Sequence, residues 1–278
     1  MKCGNRGNGV VIFFVAFTRV FAIMKAEKYI HGGISMSTAT RYIQYLQSKI
    51  QEVLDNEIPN IEKAAQLMTE SCLKGGRIYV FGSGHSHLIA EEMYIRAGGL
   101  ALVHAILPPE MMLNSMPTKS TLLERLEGYA PAIVDLYKID EKDTLMVVSK
   151  SGRNAVSVEM CLAAKAKGAS VVALTSMKHS SSCTSRHSSG KRIFELADVT
   201  IDNRAEIGDS GLQIEGLEAK IGPVSDGTGI AIAQALINEV IDRMVQAGVE
   251  PPVFVSSNVD GGDEKNAHLY ETYYGYWK

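Results

Sequence analysis

Between residues 77 and 248, short apolar runs alternate with segments of helical period, and this alternation most narrows what the chain can fold into. The runs are 77–81, 100–107, 144–148, 170–174 and 197–202. The first three are bounded by Gly, Pro, Asp or Ser, and each run is short enough to be a buried strand. Helical patterns at 86–97, 120–136, 154–167 and 226–248 follow or separate them. Strands that alternate with helices predict an α/β fold, a doubly wound parallel sheet of five strands. Ahead of the sheet, residues 37–73 carry helical apolar stripes, with Pro59 separating two helices and Gly75-Gly76 ending the second. An N-terminal helical hairpin is therefore expected. Residues 175–190 read as a serine-rich basic loop, residues 203–225 show no period, and residues 251–278 read as extended and then as a tyrosine-rich tail.

Two of the strand-to-helix junctions share a chemistry. The first is Gly82-Ser83-Gly84-His85-Ser86-His87 and the second is Ser149-Lys150-Ser151-Gly152-Arg153-Asn154. Glycine lets the backbone approach a ligand closely, and hydroxyls and amides at a helix start suit a phosphate. On a parallel sheet, ligands sit beyond the strand C-termini, where both loops lie. Two such loops point to one phosphorylated small molecule held between them. A dinucleotide fingerprint would need glycine where His87 stands and an acid near His104 and Ala105, and no Gly-Lys-Ser/Thr nucleotide loop occurs. NAD and ATP are therefore disfavoured, and no cofactor is expected.

Composition excludes other classes. A formal net charge of −3 with no Lys/Arg block argues against a nucleic-acid partner. Cys3, Cys72, Cys161 and Cys183 have no paired spacing and read as reduced thiols of a cytoplasmic protein. The apolar run 10–24 is too short and interrupted for a membrane span, so no membrane partner is expected. Its outline is that of a signal peptide, but no small-x-small cleavage site follows. Codons for Gly32-Gly33 can spell a ribosome-binding tract just before Met36. Residues 1–35 are accordingly expected to be a non-native or disordered extension, with 36–278 forming one domain; peptide from 1–35 in the intact mass of the native protein would refute this.

With these residues in place, the chain resembles the sugar isomerase (SIS) domain family, more specifically its bacterial phosphosugar and phosphoheptose isomerase-like members. The carriers are Gly82–Met93, the Ser149-Lys150-Ser151-Gly152 loop, Gly222-Pro223-Val224-Ser225 and the segment 258–266. The resemblance implies a flavodoxin-like five-stranded parallel sheet in a homodimer or homotetramer. It also implies that Ser83, Gly84, Ser86, Ser149, Ser151, Gly152 and Asn154 hold a sugar phosphate, with Lys150 and Arg153 adding charge. Where related isomerases place a catalytic glutamate, ten residues past the loop serine, this chain has Arg96.

Aldose–ketose isomerisation requires a base that moves a proton between C1 and C2 and an acid that helps open the ring. Glu91 and Glu92 on the helix after the first loop, His85 and His87 in the loop, Glu239 in the long apolar helix and His268 near the end are the catalytic candidates. Glu239 could instead pair with Lys220 or Arg243. His85-x-His87 and His179-x3-Cys183-x3-His187 have metal-ligand spacing, but neither has a second cluster, and no metal is expected. The leading expectation is a cofactor-free isomerase of a phosphorylated sugar. An amino-sugar phosphate lyase and a sugar-phosphate-binding regulatory module are the alternatives.

Overall fold

A computed structural model describes residues 36–114, 116 and 118–275. The extension expected over 1–35 lies outside the described residues. The chain divides into two compact units, Met1–Gln44 and Tyr45–Lys278. Of the first, the described part is the start of one helix; the second carries the sheet.

Five parallel strands form that sheet: β1 (Ile78–Gly82), β2 (Val103–Ile106), β3 (Thr144–Val148), β4 (Ser170–Thr175) and β5 (Val199–Asp202). Their order is β2-β1-β3-β4-β5. The helices are α1 (Thr38–Asn56), α2 (Ile58–Leu73), α3 (His87–Met93), α4 (Lys119–Leu123), α5 (Ala130–Leu136), α6 (Ala155–Ala166), α7 (Met177–Ser180), α8 (Ser225–Gln246) and α9 (Gly262–Tyr274). Successive strand residues point to opposite faces, so β1 feeds two cores. Ile78 and Val80 pack with Ile61 and Met68 of α2, Ile89 and Met93 of α3, and Ile232 and Leu236 of α8. Tyr79 and Phe81 pack with Ile133 and Val134 of α5 and with Val156 and Met160 of α6. Both faces are covered, which is why β1 and β3 are buried at every position.

Several elements differ from the sequence expectation. The helix expected over 120–136 breaks into α4 and α5, because Pro131 fits the first turn of a helix and not its interior. The one expected over 86–97 ends at Met93, where Tyr94 turns extended and Ile95 takes φ 42°. The second strand is shorter than 100–107: Leu100 instead bridges Val253 antiparallel, with the Phe254 N–H donating to the Gly99 carbonyl at 2.9 Å. Residues 203–225 contain an antiparallel ribbon, β6 (Ser210–Leu212) with β7 (Ile221–Pro223). The tyrosine-rich tail, for which no helix was expected, holds α9, whose only buried residues are Gly262, Asn266 and Tyr274. So small a buried face leaves no helical period to read. Among the described residues, no helix is long and apolar enough to cross a membrane.

Candidate active site at the β1–β3 switch point

From β1 the chain winds to β2 on one side, and β3 then returns to β1's other side. That reversal leaves a crevice at the strand C-termini, where flavodoxin-like sheets bind ligands. Gly82 and Val148 are the last register pair of β1 and β3. Ser83 and Ser149, the next residues, therefore start the two loops side by side, one inter-strand spacing of about 5 Å apart.

In the first loop, buried Ser83 donates its Oγ–H to Glu124 Oε2 at 2.7 Å. His87 is buried, and its Nδ1–H donates to the Gly84 carbonyl. Its Nε2 lies 3.7 Å from Glu91 Oε1. His85 is exposed, while Ser86 is half-buried and, among the described residues, its hydroxyl has no intramolecular partner.

The second loop is a tight turn. The Gly152 N–H donates to the Ser149 carbonyl at 3.1 Å and to its Oγ at 3.2 Å. Gly152 has φ 60°, and a Cβ there would lie 2.6 Å from Ser180 Oγ, so this position requires glycine on both conformational and steric grounds. The half-buried Ser151 keeps its hydroxyl without an intramolecular partner among the described residues. Asn154 precedes α6 without capping it; its Oδ1 accepts from Arg186 Nη1 at 2.9 Å.

Arg186 fastens the second loop. It comes from the serine-rich segment, and its backbone N–H donates to the Arg153 carbonyl at 2.8 Å. Burial, and then the charges of Arg125 and Arg153, push its pKa down, with Glu124 opposing. Arg153 Nε is buried with no partner. Arg125 and Arg186 thus act on the half-buried Glu124 carboxyl, and Arg153 stands beside Arg186, leaving positive potential beside the serine loops. Burial pushes the Glu124 carboxyl up, and the Ser83 hydrogen bond and the Arg125 and Arg186 charges offset this only in part. On the α8 side, Lys150 Nζ lies 3.9 Å from Asp209 Oδ2. Asp209 in turn accepts from the Ser225 N–H at 2.9 Å and from Ser225 Oγ at 2.7 Å. Asp226 is also raised by burial, against the charges of His85, Lys150 and His87.

The phosphate-loop residues named from sequence are thus brought together, with His85 at their edge. His87 lies within the first loop with Glu91 beside it, whereas Glu92, Glu239 and His268 are not at the loops. Glu92 pairs with Arg96 and accepts from Gln234 Nε2 at 3.3 Å, turned toward α8. Glu239 is held by Arg243 at 2.8 Å. It lies fourteen residues beyond the start of α8, about 21 Å along the helix from the crevice. Exposed His268 sits on α9, whose buried Asn266 instead clamps Val255 through bonds of 3.0 and 2.8 Å. Glu124, Arg125, Arg186 and Asp226 are the candidate-site residues that sequence reasoning missed. The only signal for Glu124 was the helix break at Pro131, and for Arg186 the basic character of residues 175–190.

Residues 41–176 match the model of the SIS domain. The UPF0309 protein BH3325 of Halalkalibacterium halodurans is 52% identical over 237 residues, which cover 85% of this chain and 98% of that protein. The chain belongs to the SIS domain family. Another relative, the UPF0309 protein of Geobacillus thermodenitrificans, is 41% identical over 84% of this chain and 94% of its own length. Among solved structures, the Vibrio vulnificus NanR protein complexed with ManNAc-6P has a TM-score of 0.50 at 14% identity, over 90% of this chain and 74% of that one. Phosphoheptose isomerase GmhA from Neisseria gonorrhoeae has a TM-score of 0.48 at 17% identity, over 73% and 97%. At such identities the likeness is one of fold, and the SIS domain here is described by its own crevice.

Proposed function

We propose that the chain binds a phosphorylated sugar across the C-terminal ends of β1 and β3 and isomerises it by proton transfer. The observation that carries this reading is the half-buried Glu124 carboxyl held by buried Ser83. It is raised in pKa, held by Ser83 of the first loop, and faced by the charges of Arg125 and Arg186. In this reading the free Ser86 and Ser151 hydroxyls, the second-loop amides, and Arg153 and Arg186 hold the phosphate. Two negative charges then replace the missing counter-charge of the arginine group. The Glu124 carboxylate takes the proton from C2 while O1 gains one, giving the cis-enediol; the Glu124 carboxyl, its proton exchanged with solvent, then protonates C1 as the O2 hydroxyl gives up its proton. A base with a raised pKa suits this step near neutral pH. Asp226 and His85, at the α8 side, are positioned to serve ring opening.

The family includes regulatory modules, and the same crevice would serve one without turnover. A single experiment separates the readings: a thermal-shift panel of sugar phosphates and their free sugars, followed by NMR of each stabilising ligand in D2O. Ligand at a hundred times its Kd stabilises by about 2.7 kcal/mol. Stabilisation by a sugar phosphate, with deuterium entering at C1 or C2, is the expected result. Binding without exchange would leave a sensor, and no preference for phosphorylated sugars would overturn the reading altogether.

A further inference from the structure

Residues 181–192 contain no helix or strand, so side-chain anchors, not a backbone ladder, set where Arg186 stands. Its bonds to the Arg153 carbonyl and Asn154 Oδ1 hold a cation that burial, and then the like charges of Arg125 and Arg153, oppose. The next residue supplies a further fastening. His187, its side chain 9% exposed, accepts the Ser189 N–H on Nδ1 at 3.1 Å, which places its ring proton on Nε2. That Nε2 lies 3.7 Å from Glu127 Oε2 and 3.6 Å from Glu159 Oε1. Glu127 also accepts the Ser188 N–H at 2.6 Å and the Ser188 Oγ–H at 2.7 Å. The Ser188 hydroxyl and amide, with His187 adding to them, hold the Glu127 carboxyl below its ordinary pKa.

Both carboxylates belong to, or support, the other arm of the crevice. Glu127 follows Glu124 and Arg125 within one short turn. Glu159 of α6 accepts the Gly128 N–H at 2.6 Å and the Ala130 N–H at 3.4 Å. The Val156 N–H, one turn earlier on α6, donates to the Glu124 carbonyl at 3.1 Å. Segments 124–130 and 185–189 thus rest on the same start of α6, and His187 and Ser188 join them directly. We propose that His187 is a positioning residue of the crevice: with Glu127 and Glu159 it clamps the segment carrying Arg186 to the one carrying Glu124 and Arg125. This role rests on the sugar-phosphate reading of the crevice. Without the clamp, like-charge repulsion and side-chain entropy both draw Arg186 away from the second loop.

The test combines titration calorimetry of inorganic phosphate with amide hydrogen exchange, both on the full chain. Glu127→Ala and His187→Leu are each expected to raise the phosphate Kd about three- to tenfold and to speed exchange in 124–130 and 185–190 together. His187→Gln, whose amide N–H replaces the Nε2–H, is expected to keep the wild-type Kd. In an Arg186→Ala background, Glu127→Ala is expected to add no further loss, because the clamp acts through Arg186. Glu127 is exposed, so its variant carries every arm of the test if His187→Leu fails to fold. Phosphate affinity indifferent to Glu127→Ala, a fully additive loss in the double variant, or faster exchange confined to 185–190 would each overturn the clamp. A wild-type chain that binds no phosphate would count against the sugar-phosphate reading instead, and the exchange pattern would still decide the clamp.

Discussion

Glu124 makes the clearest demand at the scale of single residues, because even a half-buried carboxyl is costly to desolvate unless it has work or a partner. It has one neutral partner, Ser83, and two cations, and its pKa still rises. Glu124→Gln keeps the shape and the Ser83 contact and removes the base. Turnover is expected to fall by about 10²–10⁴-fold with KM nearly unchanged, which steady-state kinetics would check. The base must be ionised, so wild-type activity should decline on the acid side above the ordinary carboxylate range, and the variant should lack that limb. Arg186→Ala removes a charged hydrogen bond. Dissociation of the phosphorylated ligand should rise by about 10–100-fold while binding of the free sugar is unchanged, as titration calorimetry of both would show. The serine loops were legible because their glycines and hydroxyls are contiguous in sequence. Glu124 and Arg186 were not, since they reach the loops from 41 and 32 residues away, through contacts with Ser83 and Asn154.

Among elements, the strands were legible because both faces of the sheet are covered and each strand is a continuous apolar run. The helix ends were less so. Pro131 restarts a helix instead of bending one, and α9 buries too little to show a period. What positions the crevice is the crossing of α3 and α8, which carry the first loop's end and the Ser225–Asp226 corner. Gly229 sits at that crossing: a Cβ would lie 2.5 Å from Ile89 Cδ1. The contact is with the tip of a flexible side chain, so Gly229→Ala should be tolerated by a rotamer change. Gly229→Val adds two branched methyls against a buried Ile89 and should destabilise by about 1–3 kcal/mol. Thermal denaturation of the pair checks this. Equal transition temperatures for the two variants would mean that the helices do not pack as closely as their backbones indicate.

At the scale of the whole molecule, acid stability depends on a residue that the sequence offered only as the wrong type for a dinucleotide site. His104 is buried on β2 between the rings of Tyr79 and Tyr274, with centroids at 5.7 and 4.8 Å. Through Tyr274, whose hydroxyl donates to the Val103 carbonyl at 2.8 Å, it joins α9 to the sheet edge. Burial, and then the Arg77 charge, lower its pKa from 6.5 to about 4. The folded state therefore holds a neutral imidazole, while the unfolded chain takes up a proton near pH 6.5. Its contribution is complete above that value and is lost as pH falls toward 4, by roughly 3 kcal/mol in all. Carboxyls with raised pKa values, buried Asp143 and half-buried Glu124 and Asp226, act in the opposite sense and gain stability as they protonate. The wild-type curve alone thus mixes both signs. Urea unfolding of the wild type and of His104→Phe, at pH 7 and again at 4.5, isolates the histidine. The difference between the two proteins should shift in the variant's favour at the lower pH. A difference that does not change with pH would mean that His104 is protonated in the fold and that the edge formed by β2 and α9 opens to water.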